Sequence, residues 1–153
     1  MFDYRKATLE DLELVVKARI EFMLDSRPEA PPEAFERLCP SLYDFMKTSI
    51  ADESFIAWLA FDGSTLIATS GLSFLQHPPC TTNPTGKVAY ISNMYTKPEY
   101  RGKGIATVLF DKTVEEAKRR GYIKLRLTTT DMGRPIYEKY GFIPEAGMVY
   151  IVA

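Results

Sequence analysis

The feature that most constrains the fold is a glycine-containing turn between a predicted strand and a predicted helix. The pattern of apolar residues predicts a strand over Val88–Thr96 and a helix over Ile105–Arg120. The turn between them contains the run Arg101-Gly102-Lys103-Gly104-Ile105-Ala106. The first N–H groups of a helix lack intrahelical partners and carry partial positive charge, and glycines let a ligand approach the backbone closely. The turn therefore predicts a pyrophosphate site, held mainly by main-chain N–H groups.

Two common phosphate-binding patterns do not describe this turn. No Gly-Lys-Ser or Gly-Lys-Thr sequence closes it, which argues against a P-loop. The third glycine of the dinucleotide-binding fingerprint is also missing. The phosphate therefore belongs to another class of ligand.

Three segments resemble the GNAT (GCN5-related N-acetyltransferase) family. Arg101–Ala106 is similar to its acyl-CoA loop, Gln/Arg-x-x-Gly-x-Gly/Ala, and Ile136–Phe142 is similar to its Leu-Tyr-Glu-Lys-x-Gly-Phe segment. Tyr4–Asp11 resembles the family's first strand and helix entry. Because the three segments occur in the family's order and span nearly the whole chain, the chain is identified as a member of this family.

The sequence predicts one α/β domain over residues 1–153, with elements in the order β-α-α-β-β-β-α-β-α-β-β. The second helical region, Glu33–Ile50, is predicted as one helix or as two with a restart at Pro40. The fifth strand is predicted over Ile123–Thr128, and the final strands around Phe142–Ile143 and Met148–Val152. The resemblance implies a mixed, twisted sheet of about seven strands with helices on both faces.

The resemblance also implies a cofactor, acetyl-CoA or a longer acyl-CoA, and a set of residues that bind it. In the family, the fourth strand contains a bulge and separates from the fifth, and the pantetheine arm pairs with the exposed backbone. The matching positions here are Met94, Tyr95 and Thr96. A further position, Thr130, matches a side chain that often touches the arm. The predicted pyrophosphate contacts are Arg101, Gly102, Lys103, Gly104, Ile105, Ala106 and Thr107.

The matched tyrosine of the Leu-Tyr-Glu-Lys segment is Tyr137, which the resemblance implies as general acid. A phenol near the leaving thiolate can donate a proton to it. Tyr140 lies three residues later on a similar side of the helix and is the alternative. Ordinary burial of an amphipathic side chain would also explain either tyrosine.

The general base is less defined, because the fourth strand lacks the glutamate that many members carry. Ser92 and Asn93 stand there instead, and neither is a base at neutral pH. Either could hold a water that relays the amine proton. Alternatively, Glu21, Asp25 or Glu36 could act as base or bind a cationic amine, although all three are typical of a solvated helix surface. An acceptor that arrives deprotonated would need no base.

The charge distribution fits an anionic cofactor and a cationic acceptor. Residues 1–60 hold 12 acidic and 7 basic residues, whereas residues 87–153 hold 7 acidic and 12 basic ones. The sequence contains no contiguous basic run of the kind that would predict nucleic-acid binding. The acceptor is predicted to be a small amine or an amino acid, with peptides and protein lysines still open. A non-catalytic acyl-CoA sensor and a protein-interaction module on the same fold are the alternatives to an enzyme.

The remaining features predict an ordinary cytoplasmic protein. No apolar run is long enough to span a membrane, and early charges such as Arg5 and Lys6 argue against a signal peptide. Cys39 and Cys80 lack metal-ligand or redox spacing and are predicted to be free thiols. His77 precedes two prolines and is predicted to lie in a solvated loop. Homodimers are common in the resembled family, although no sequence feature here indicates one.

Overall fold

A five-stranded mixed sheet forms the centre of the computed structural model, which describes residues 1–152. The strands lie in chain order across the sheet, and all neighbours are antiparallel except the last pair, which is parallel. The strands are β1 (Asp3–Lys6), β2 (Phe55–Asp62), β3 (Thr65–Gln76), β4 (Lys87–Thr96) and β5 (Leu125–Leu127). The helices are α1 (Leu12–Ser26), α2 (Pro32–Ala51), α3 (Ile105–Arg119) and α4 (Arg134–Tyr140).

Helices cover both faces of the sheet, which confirms the predicted fold class. Along β2, Ala57 and Leu59 are buried in the cluster with α1 and α2, whereas Ile56 and Ala60 belong to clusters that include α3 residues. Both faces of β2 are therefore apolar, as expected for a strand buried on two sides. The sheet lies between the two helical layers.

The first helix is anchored by an arginine–aspartate pair at its entry. The Thr8 N–H donates to Asp11 Oδ2 at 2.8 Å. Both terminal nitrogens of Arg5 donate to the Asp11 carboxylate at 2.7 Å. The hydrogen bonds from Arg5 hold the pKa of Asp11 below its usual value, against the effect of burial. These hydrogen bonds fix the path of the chain from β1 into α1.

The second helix is continuous, so the alternative of a restart at Pro40 is wrong. Pro40 lies inside α2 on an exposed position. A proline within a helix removes one backbone hydrogen bond, and here the surrounding turns stay helical.

Among residues 1–152, no helix is both long and apolar enough to cross a membrane.

The predicted sheet of about seven strands is wrong in its count. β5 covers Leu125–Leu127 rather than Ile123–Thr128, and Ile123 is 66% exposed. Residues 142–152 form neither helix nor strand, so the two final strands are absent from the described structure. An alternating apolar pattern predicts that a segment can form a strand, but it does not show that a neighbouring strand is available to pair with it. The side chains of Met148–Val152 project into solvent, where nothing pairs with them.

Candidate active site

A groove of about 580 Å³ opens beside the end of β4, and we call it the central groove. It gathers most of the residues that the sequence predicted for a site. The predicted residues that line it are Asp25, Met94, Tyr95, Thr96, Arg101, Gly102, Gly104, Ile105, Ala106, Thr107, Thr130 and Tyr137. Lys103, Ser92, Asn93 and Glu21 lie outside it.

The groove exists because β4 and β5 pair along only part of their length. The last paired residues are Ile91 on β4 and Leu127 on β5. β4 continues to Thr96, so its final residues have no β5 neighbour on that side. Their main-chain groups face an open gap, which suits the addition of an extended ligand.

A bulge in β4 lies at the same point. Thr69 and Gly71 of β3 pair with Tyr95 and Ser92, so β4 contains one extra residue between its two partners. Asn93 lies in the bulge with a φ of 54°. A positive φ is uncommon for a residue other than glycine, although asparagine adopts it more readily than most.

The glycine turn adopts the backbone geometry that its sequence requires. Gly102 and Gly104 have φ values of +77° and +79°, and Gly104 directly precedes α3. A Cβ at either position would meet nothing within 4 Å. The backbone is thus open beside the first N–H groups of α3, a geometry that can accommodate an anion.

The side chain of Arg101 crosses the groove towards α1. Its Nε donates to the Thr96 carbonyl oxygen at 2.9 Å, and its Nη2 donates to Asp25 Oδ2 at 2.8 Å. The guanidinium carbon also lies 5.8 Å from the centre of the Tyr95 ring. Asp25 therefore lies beside the glycine turn, where it forms an ion pair with Arg101.

Tyr137, on α4, lines the central groove. Its ring packs 5.1 Å from Phe110 of α3 and 6.3 Å from Phe142. Burial raises the pKa of the Tyr137 phenol, so the hydroxyl stays protonated at neutral pH. Tyr140 also packs on Phe110, at 4.9 Å, but it does not line the groove. The two tyrosines therefore share a packing partner and differ in access to the site.

The two polar residues of the β4 bulge differ in their surroundings. Asn93 is 4% exposed, and its carbonyl oxygen accepts a hydrogen bond from Thr69 Oγ1 at 3.0 Å. Neither Nδ2 nor Oδ1 of Asn93 has a hydrogen-bond partner among the described residues. Ser92 is half-buried and pairs with Gly71. The Asn93 amide is thus a buried polar group that needs a partner.

The remaining predicted residues lie apart from the groove. Glu21 lines a smaller pocket of about 190 Å³, together with Tyr95 and Lys97. Glu36 is exposed on α2, and His77 is exposed in the loop after β3. Lys103 is exposed, with its ammonium 5.2 Å from the Tyr100 ring.

Phe22 is an aromatic residue that the sequence allowed either as pocket lining or as helix packing. It lines the central groove, and its ring packs edge-on against Tyr95 at 5.8 Å. Sequence reasoning missed several other groove residues. Met132 and Ile136 add apolar surface near Tyr137, and Ser26 and Tyr100 complete the rim. None of these residues stands in a pattern that separates it from ordinary helix or loop surface.

Comparisons with known proteins identify the family. The model of the acetyltransferase (GNAT) family matches residues 19–142. The chain belongs to this family. Its glycine turn and its Tyr137 segment both fall within the matched range, so the predicted resemblance is confirmed.

Solved structures agree with this assignment over the full length of this GNAT chain. A predicted acetyltransferase from Clostridium acetobutylicum, crystallised with acetyl-CoA, is 36% identical, with a TM-score of 0.90 and coverage of 99% of this chain and 96% of that chain. A GCN5-related N-acetyltransferase from Ralstonia eutropha is 27% identical, with a TM-score of 0.89 and coverage of 99% of both chains.

Among curated proteins, the thialysine N-epsilon-acetyltransferase of Mus musculus is 34% identical over 59 residues. That match covers 39% of this chain and 35% of the mouse protein. The corresponding pig protein is 36% identical over 56 residues, which is 33% of its length. The chain thus matches about a third of the length of these curated relatives.

Proposed function

We propose that this chain transfers an acetyl group from acetyl-CoA to the primary amine of a small molecule or an amino acid. One observation carries the proposal: a single groove joins the open main chain of β4, the glycine turn before α3 and the half-buried phenol of Tyr137. These are the parts that bind an extended thioester with a pyrophosphate at one end and protonate a leaving group at the other.

The binding half of the site follows from main-chain geometry. The backbone of Met94, Tyr95 and Thr96, which has no β5 partner, would hold the pantetheine arm as an added strand on that side. The turn from Arg101 to Thr107 would hold the pyrophosphate, since its glycines leave the backbone open and α3 starts there. Thr130, which also lines the groove, would contact the arm.

The chemical half of the site depends on Tyr137. Bound acetyl-CoA supplies an acetyl thioester, and the amine nitrogen forms a bond to its carbonyl carbon as the carbon–sulfur bond breaks. Tyr137 donates a proton to the departing sulfur. Burial raises its pKa, so the phenol holds this proton at neutral pH until the thiolate forms. Its position on the groove wall favours it over Tyr140.

The amine proton must also leave, and Asn93 offers a route through water. Its buried side-chain amide has no partner among the described residues, and such groups commonly bind ordered water. Asn93 and the neighbouring Ser92 would hold this water beside the β4 bulge. Glu21, in the adjacent small pocket with Tyr95, would instead attract a cationic acceptor.

The proposed acceptor class rests on relatives and on charge. The curated relatives are named for acetylation of the N-epsilon nitrogen of thialysine, a primary amine on a small molecule. The acidic first third of this chain, which includes α1, would attract such a cation. The free thiols of Cys39 and Cys80 fit a reducing cytoplasm.

Isothermal titration with acetyl-CoA, ATP and NAD tests the binding half. We expect micromolar affinity for acetyl-CoA and none for the other two. Equal affinity for ATP would show that the groove recognises phosphate without the pantetheine arm. No acetyl-CoA binding would favour a protein-interaction module, and binding without turnover of any amine would favour a sensor.

A further inference from the structure

Arg19 of α1 is a half-buried arginine that forms no ion pair with a carboxylate of residues 1–152. Its guanidinium carbon lies 5.5 Å from the centre of the Phe22 ring. The other arginines without a carboxylate partner in this part of the chain, Arg27 and Arg37, are exposed to solvent. Arg19 therefore loses hydration on folding without gaining a counter-ion from the described residues.

The spacing of residues along α1 places Arg19 where an apolar side chain would be expected. Val15, four residues earlier, is fully buried, and Phe22, three residues later, lines the central groove. Residues at these spacings share one face of a helix. Arg19 thus lies on the face of α1 that packs on the sheet, between the hydrophobic core and the central groove.

Arg19 and Phe22 approach β4 on opposite sides of its bulge. Phe22 packs on Tyr95, which follows the bulge at Asn93. Burial lowers the pKa of the Arg19 guanidinium, and Tyr90, which precedes the bulge, lies close enough to oppose this effect in part. The side chain of Arg19 is therefore located near the half of β4 that lies beyond the bulge, as seen from the glycine turn.

A second arginine near Tyr90 shows how a guanidinium in this region is balanced when the chain supplies the partner. Arg126 Nε and Nη2 donate to the two carboxylate oxygens of Glu145 at 2.7 Å and 3.1 Å. These hydrogen bonds raise the pKa of Arg126, and Tyr90 adds to the effect. Arg19 carries the same planar fork of donors but lacks such a carboxylate, so a ligand can provide it.

We propose that Arg19 binds the carboxylate of the acceptor, which makes the acceptor an amino acid rather than a simple amine. This inference rests on the proposed function. A pantetheine arm that starts at the glycine turn and pairs with Thr96 and Met94 would reach the bulge at Asn93. The acceptor amine would meet the thioester there, and Arg19 would hold the other end of the acceptor beyond the bulge.

The charges around Arg19 favour a ligand with one negative charge and one positive charge. Residues 1–60, which include α1, hold 12 acidic and 7 basic residues. Glu21, two residues after Arg19, lines the adjacent small pocket with Tyr95. This acidic excess opposes a dianion such as phosphate, whereas an amino acid carries a single carboxylate together with an ammonium group.

Matched acceptors test the proposal on the unmodified protein. L-Alanine, L-lysine and L-thialysine are each compared with the carboxamide of the same amino acid, which keeps the amine and removes the charge of the carboxylate. We expect kcat/KM for the amino acids to exceed that for the carboxamides by about 10- to 100-fold, as for a hydrogen bond between charged groups. Equal values would overturn the role of Arg19 and leave acetyl transfer intact.

Arg19→Gln separates carboxylate recognition from general damage to the site. The variant should lose about 10- to 100-fold in kcat/KM for the amino acids, mainly through KM, with little change for the carboxamides or in acetyl-CoA affinity. Arg37→Gln, which removes the same charge from an exposed position on α2, should behave like the parent chain. An equal loss for amino acids and carboxamides would show that Arg19 only supports the packing around Phe22, and it would overturn the proposal.

Calorimetric titration of the same amino acids into the CoA-saturated protein gives a measurement that needs no turnover. Binding to the parent chain that is lost in Arg19→Gln would support the carboxylate site even if no amine were acetylated. Acetylation of simple amines without any binding of amino acids would overturn the site and keep the proposed function. The absence of both binding and acetylation would overturn both proposals.

Discussion

Asp25 and Arg101 join the last turn of α1 to the glycine turn, with Asp25 Oδ2 accepting from Arg101 Nη2 at 2.8 Å. The same arginine donates to the carbonyl oxygen of Thr96 at the end of β4. Its side chain therefore bridges the helix and the strand that border the central groove. A pyrophosphate in this groove would meet a guanidinium that already has a carboxylate partner.

Replacing Asp25 with asparagine should tighten acetyl-CoA binding. The change removes a negative charge beside the pyrophosphate and frees Arg101, so we expect an affinity gain of about 2- to 5-fold, as for an exposed ion pair. Arg101→Gln should weaken binding by about 10-fold. Titration calorimetry measures both, with Glu115→Gln as a control at the exposed pair with Lys118. Weaker binding in Asp25→Asn would instead show that the carboxylate positions the arginine.

Gly104→Asp should weaken acetyl-CoA binding by on the order of 100-fold. The substitution places a carboxylate directly before α3, where the helix N-terminus favours an anionic ligand. Gly63→Asp is a matched control, because Gly63 also has a positive φ and open surroundings but lies in the β2–β3 turn. The control should bind acetyl-CoA like the parent chain. If the parent chain, Gly104→Asp and Gly63→Asp bound acetyl-CoA with equal affinity, the glycine turn would not be part of the binding site.

Tyr137→Phe should lower kcat by about 10²- to 10⁴-fold, the usual contribution of a general acid. Acetyl-CoA affinity should change little, because the substitution removes one hydroxyl and keeps the ring packed on Phe110. Tyr140→Phe is the control on the same helix and the same packing partner. If the Tyr140 variant loses the activity and the Tyr137 variant keeps it, the acid role belongs to Tyr140.

Acid should destabilise the protein through Glu116. Burial alone would raise the pKa of this carboxyl, but hydrogen bonds from Lys6, Arg119 and Arg120 hold the pKa at about 2, below its usual 4.5. A lowered pKa in the folded state stabilises the protein above pH 4.5, and this contribution disappears as the pH falls towards 2. The difference corresponds to on the order of 3 kcal/mol.

Urea unfolding between pH 7 and pH 2 measures this contribution. Glu116→Gln should be less stable at pH 7, because Lys6, Arg119 and Arg120 lose the carboxylate that accepts their hydrogen bonds, and its stability should fall less steeply between pH 5 and pH 2. If the free energies of unfolding of the parent chain and the variant changed in parallel with pH, the acid sensitivity would belong to other carboxylates, such as Asp11.

The sequence predicted the parts of the fold that depend on local pattern. Gly102 and Gly104 stand where the chain needs positive φ before a helix, and apolar spacing located α3 within one residue. The pattern at Met148–Val152 predicted a strand equally well, but a strand also needs a neighbouring edge. Residues 148–152 have no such neighbour in the part of the chain that the structure describes, so the pattern matched the strand propensity of this segment but not its pairing.

For the site, the sequence could locate residues that act through the backbone or through a matched segment. Met94 to Thr96 and Tyr137, which the sequence proposed for cofactor binding and acid catalysis, line the central groove. The contacts that α1 makes in the groove could not be predicted, because Phe22 packs on Tyr95 and Asp25 pairs with Arg101 across long distances in the sequence. The unpartnered amide of Asn93 likewise becomes visible when burial is known.

A continuous assay of free thiol release from acetyl-CoA, run over a panel of small primary amines and amino acids, tests the account most directly. We predict thiol release that requires both the protein and an amine, with the acetylated amine confirmed by mass spectrometry. The Tyr137→Phe variant should reduce this rate, and Gly63→Asp should leave it unchanged. Tight acetyl-CoA binding with no amine-dependent release across small amines, amino acids, peptides and protein lysines would contradict the proposed acetyltransferase activity.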